Sequence, residues 1–133
     1  MIKLFIGAKG SGKTKTLIEL VNNATAASKG SVVCIEKGDK LRFDITSKAR
    51  LIDTEYYGVD SAAKLYGFIA GALASNNDIT DIFADSSLKI CGNDVDSFVA
   101  ILDNLDKLCT DVNLVMTVSI AVETCPDKIK SYT

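Results

Sequence analysis

The sequence predicts a three-layer α/β fold on a mainly parallel sheet of four to five strands. Short β-branched runs alternate with longer segments of helical spacing along the chain. The first run, helix and second run follow one another closely, which implies parallel strands joined by a right-handed crossover. A glycine-rich stretch, residues 7–14, lies between the first run and the first helix. The length, 133 residues, suits one domain over 1–133.

Taken in order, residues 2–6 are an apolar run that stops at Gly7. Residues 13–28 then place Leu17, Ile18, Val21 and Ala24 on one side of a helix, with Gly30 as its expected C′ glycine. Residues 31–36 form a second β-branched run that ends in Glu36. Residues 40–53 alternate polar and apolar around Ser47-Lys48, which predicts a small added β-hairpin. Asp60-Ser61 caps a helix over about 61–75. Its Gly67 and Gly71 lie four apart, and close packing against the sheet is the expected reason. Residues 80–85 are a buried strand with Asp85 at its end and Asp81 at its entry. Residues 94–111 carry Phe98, Ile101, Leu102, Leu105, Leu108 and Cys109 on one helical face. Residues 113–120 form a further core strand, and Pro126 suits the start of a short last helix.

Composition narrows the chemistry. There is no His, so a His general base, triad or metal ligand is excluded within the chain. Arg42 and Arg50 are the only arginines among 15 basic residues, which argues against a multi-arginine clamp on phosphate. The net charge of −2 does not indicate nucleic acid as a partner. Cys34, Cys91, Cys109 and Cys125 include no C-x-x-C pair and read as small buried hydrophobes in a reduced, cytoplasmic chain; a zinc site of scattered cysteines is the alternative. No stretch reaches the ~18 uninterrupted apolar residues of a membrane span, and the N-terminus breaks at Lys9 before a signal-peptide core forms.

Gly7-Ala8-Lys9-Gly10-Ser11-Gly12-Lys13-Thr14 fits G-x-x-x-x-G-K-[ST] at every fixed position. Drawn at the chain's own residue frequencies, the pattern arises by chance about once in a hundred such chains, and here it also falls between a strand and a helix. Glycines let backbone amides approach phosphate oxygens closely. The free N–H groups of the helix start point at the same oxygens. Lys13 suits the β- and γ-phosphates, and the Thr14 hydroxyl suits Mg²⁺. The nucleotide-binding set is therefore Gly7, Ala8, Lys9, Gly10, Ser11, Gly12, Lys13, Thr14 and Lys15, with Lys9 and Lys15 read as solvated charges or general positive potential near phosphate rather than named ligands.

In these residues the chain resembles the P-loop NTPase superfamily, in its RecA-like branch. Ile82-Phe83-Ala84-Asp85 is similar to the family's Walker B strand. The resemblance implies the three-layer P-loop fold, ATP and Mg²⁺ as cofactors, and Asp85 with Thr14 at the metal. Ser86 and Ser87 stand where hydrolytic branches often carry a glutamate. Glu36 lies at the strand end that supplies the base in RecA-like members, so the resemblance makes it the candidate base beside catalytic Lys13. Thr117 or Ser119 is the candidate polar sensor of the γ-phosphate. The chain also looks like small bacterial ATP-binding proteins labelled as twitching-motility or pilus-retraction ATPases. The pilus motors carry an extra N-terminal domain and histidine-containing motifs; neither is read in this sequence, which argues against motor activity.

The leading expectation is an Mg·ATP-binding protein, a slow or partner-stimulated ATPase that acts as a nucleotide-dependent switch. The scarcity of arginine points to a protein partner or a homo-oligomer, with Arg42 or Arg50 the residues that would reach a neighbouring subunit. A small nucleoside or nucleotide kinase, with Tyr56 and Tyr57 near an acceptor, is one alternative. A non-hydrolysing ATP-binding module is another. ATP is preferred over GTP because no guanine-reading N/T-K-x-D motif is present.

Overall fold

A computed structural model describes residues 1–133. Five strands, β1 (Ile2–Gly7), β2 (Ser31–Glu36), β3 (Arg50–Asp53), β4 (Ile79–Ala84) and β5 (Asn113–Ser119), make one sheet in the order β1-β5-β4-β2-β3, with every strand pair parallel. The main helices are α1 (Lys13–Ala27), α2 (Ala62–Ser75) and α4 (Val95–Leu108), with single turns α3 (Ser87–Ile90) and α5 (Asp127–Lys130). No helix is long and apolar enough to cross a membrane.

Strand alternation divides the core between the two sheet faces. Val32, Cys34 and Phe83 point to one face, where Leu17 and Val21 of α1 cover them. Val33, Ile35, Ile82, Leu114 and Met116 point to the other, against Leu65 and Ile69 of α2 and Phe98, Leu102 and Leu105 of α4. The apolar face read for the 94–111 segment is thus the packed one, although the helix stops at Leu108 and Cys109 caps it. Ser61 caps α2 by accepting from Lys64 N, and Asp94 caps α4 by accepting from Ser97 N. The four cysteines are buried free thiols, and no group of three or more acidic or cysteine side chains is arranged to hold a metal.

The expected hairpin over 40–53 is absent. Only Arg50–Asp53 is a strand, and it runs parallel to β2 as the sheet edge. Leu41 and Ile45 are buried, while Phe43 between them is 86% exposed, and Ile45 N donates to Leu41 O at 3.0 Å. The apolar residues act at a spacing of four, as in a helical turn, and seat the crossover on the α1 face of the sheet. All five strands are therefore parallel, where a mainly parallel sheet was expected.

Two glycine expectations also change. Gly67 and Gly71 lie on the exposed side of α2, and a Cβ on either would meet nothing within 4 Å. Close packing does not explain them. Gly30 is not the C′ residue of α1, which ends at Ser28 in extended backbone. Gly30 instead lies against the chain before β4: a Cβ there would fall 2.0 Å from Asp78 O, which accepts from Ser31 N.

Candidate functional site

Three strand ends meet at the carboxyl edge on the α1 face. Alternation puts Glu36, Asp85 and Thr117 on that face, continuing Cys34, Phe83 and Val115. The register between β2, β4 and β5 sets them side by side. Parallel α/β sheets place their ligand crevices at this edge.

The glycine loop approaches from β1. Ile120 N donates to Gly7 O at 3.1 Å, which fixes the loop's first residue. Gly7 has φ 155°, and a Cβ there would meet Ser11 Oγ at 2.6 Å. Lys13 Nζ donates to Ala8 O (2.9 Å) and Ser11 Oγ (3.2 Å), so the loop's own oxygens hold the ammonium. Gly12 is the N-cap of α1 and supplies no side chain, leaving the first-turn N–H groups directed outward. Burial pulls the Lys13 pKa below its ordinary value, and the charge of Asp85 partly restores it.

Asp85 ties the loop to the strands. Thr14 Oγ1 donates to Asp85 Oδ1 at 3.1 Å, and Thr117 Oγ1 donates to the same oxygen at 2.8 Å. Ser86 N donates to Thr117 Oγ1 at 2.7 Å. Ser86 adopts a left-handed conformation (φ 54°), uncommon for a residue with a Cβ and often found at functional sites.

Glu36 is buried, and both its oxygens are engaged. Oε1 accepts from Lys40 N (3.2 Å) and Oε2 from Leu41 N (2.8 Å). Burial pushes its carboxyl above the usual range. The N–H groups of Leu41 and Lys40 pull it down by less, and Asp85 and Asp39 push it further up. Beneath it, burial and the Glu36 and Asp85 charges push the Cys34 thiol up to about 12.

These elements enclose a cleft of about 720 Å³. Of the residues expected from sequence, Lys9, Gly10, Gly12, Lys13, Thr14, Lys15, Glu36, Asp85 and Ser119 line it. Gly7, Ala8, Ser11 and Thr117 support it from behind through the contacts above. Arg42 is paired with Asp39 at 3.1 Å and stacks on Phe43, Arg50 lies on the edge strand, and neither lines the cleft. Tyr56 and Tyr57 are exposed and also lie outside it. Asp81 is at the opposite end of β4, bonded to Asn113.

Lys40, Lys89, Ser86 and Asn93 line the cleft without having been foreseen. The two lysines did carry a signal: each follows a strand-end carboxylate by four residues, Lys40 after Glu36 and Lys89 after Asp85.

The donor set can hold a small hard cation. Thr14 and Asp85 offer oxygens at one corner, and two protein ligands with the remainder from phosphate and water suit Mg²⁺. Comparison with protein-family models and with curated protein sequences finds no match to this chain.

Proposed function

We propose that the chain binds an Mg-nucleoside triphosphate, with ATP preferred, as a P-loop NTPase of RecA-like type, and acts as a slow or partner-stimulated ATPase switch. The observation that carries this reading is the contact of Thr14 with Asp85 beside Lys13, at the mouth of a cationic cleft. Loop amides and the uncapped start of α1 would receive phosphate oxygens. Lys13 would exchange Ala8 O and Ser11 Oγ for the β- and γ-phosphates. Thr14 and Asp85 would hold Mg²⁺, which when bound neutralises phosphate charge and orients the terminal group. Thr117 would keep Asp85 aimed and transmit its position to Ser86.

The engagement of both Glu36 oxygens by backbone N–H groups favours slow turnover over fast. A base must offer a free lone pair to water in good geometry. An arginine acting on the terminal phosphate would have to come from another molecule, a contribution worth ~10³–10⁵-fold in other NTPases.

Titration calorimetry with Mg·ATP tests the reading. One-to-one binding that Lys13→Ala abolishes is expected, and undiminished affinity in that variant would overturn it. Turnover measured at increasing protein concentration then separates a self-activating assembly from a module that only binds.

A further inference from the structure

We propose that Lys40 and Lys89 form a second pair of cations, which grips the terminal phosphate from the side opposite the glycine loop, and that Glu36 is the positioning residue for Lys40. The proposal rests on the reading of the cleft as a triphosphate site and deepens it.

The cleft is more cationic than the nucleotide motif alone requires. Lys9, Lys13, Lys15, Lys40 and Lys89 line it, against the carboxylates Glu36 and Asp85. A chain of net charge −2 thus gathers an excess of positive charge at one crevice. The lysines fall on two sides. Lys9, Lys13 and Lys15 belong to the glycine loop and the start of α1. Lys40 and Lys89 belong to the segments that leave β2 and β4, the strands that β5 separates from β1 and its loop. Thr14 and Asp85 would hold the metal, whose charge would draw the terminal phosphate of a bound triphosphate toward Asp85. A terminal phosphate beside Asp85 would come within reach of Lys40 and Lys89, which line the same cleft, with the earlier phosphates along the loop.

Both lysines stand on fixed backbone. Lys40 N is bonded to Glu36 Oε1, and the next residue, Leu41, is bonded to Oε2 and is 4% exposed. Lys89 lies between buried Leu88 and Ile90 in the turn that Ser86 opens. Neither ammonium is spent on an ion pair: the chain's ion pairs are Arg42–Asp39, Lys64–Asp60 and Lys128–Asp103. Exposed, unpaired ammonium groups on rigid turns facing a crevice suit a ligand that brings its own negative charge.

The test compares equilibrium binding of Mg·ATP and Mg·ADP by the wild type, Lys40→Ala and Lys89→Ala. Each variant should weaken ATP by about tenfold, the effect of one charge-assisted contact, and ADP by less than about twofold. Equal losses for both nucleotides, or none, would overturn the proposal while leaving the triphosphate site standing. A wild type that binds neither nucleotide would overturn both. Glu36→Gln should reproduce the Lys40→Ala loss of ATP preference and add nothing to it in the double variant. Additive losses would remove Glu36 from the arrangement. Both lysines are exposed, so their substitutions leave the core intact, and thermal melting checks that they do.

Discussion

Thr14 Oγ1 and Asp85 Oδ1 lie 3.1 Å apart although 71 residues separate them in sequence. The hydroxyl comes from the first turn of α1 and the carboxylate from the end of β4, two strands away from β1 across β5. Thr117, on that intervening strand, donates to the same oxygen. A helix start and two strand ends are thereby joined at one carboxylate, the group on which the proposed metal corner would depend.

Replacing Asp85 with Asn should uncouple metal from nucleotide. The amide keeps the size but loses the charge that a hard cation needs. Mg²⁺ should strengthen ATP binding to the wild type and leave Asp85→Asn nearly unaffected. Calorimetry with and without EDTA reads the difference, and an equal Mg²⁺ effect in both proteins would exclude Asp85 as a ligand.

Thr117→Val should act more weakly and in a different way. It keeps the volume of a buried side chain but leaves Asp85 and Ser86 N each short of a partner. An unsatisfied buried polar group costs about 1–3 kcal/mol. Urea unfolding should show that loss, with metal-dependent binding weakened but still present.

The two kinds of glycine should respond oppositely to alanine. Gly30→Ala forces a Cβ onto Asp78 O and should cost about 1–3 kcal/mol, in the range of overpacking. Gly67→Ala meets open space within α2 and should stabilise by about 0.5–1 kcal/mol through helix propensity. Melting curves of the two variants check both signs.

Glu36 should impose a pH dependence on stability. Its pKa is raised in the folded protein, so between the ordinary value of 4.5 and the folded value the native state binds the extra proton. Its contribution to stability therefore declines as pH rises through that window and is level above it. Glu36→Gln should remove this decline. Urea unfolding of both proteins from pH 4.5 upward measures it, and parallel profiles would contradict the assignment.

What could be read from sequence was what depends on neighbours in the chain. The spacing of Gly7, Gly12, Lys13 and Thr14 is local, and so is the strand-end position of Asp85 and Glu36. Alternation then set the last two on one face. The 37–49 crossover departs from the expected hairpin because Leu41, Phe43 and Ile45 satisfy a period of two, while burial selects only the outer pair, four apart. Gly30 looks like a helix cap in sequence because its actual reason is Asp78 O, a partner remote in the chain. Lys40 and Lys89 are not legible as cleft residues in sequence, because a lysine joins a cleft only through the crevice that the fold places beside it.

The strand order has a kinetic consequence. β1 pairs only with β5, the last of the five strands in chain order. Docking the first strand therefore closes a loop that spans most of the chain, and such long loop closures slow folding. The β1 end of the glycine loop should therefore be fixed late, when Gly7 O meets Ile120 N. Amide protection at Gly7 and Ile120 should appear among the last signals in a refolding experiment.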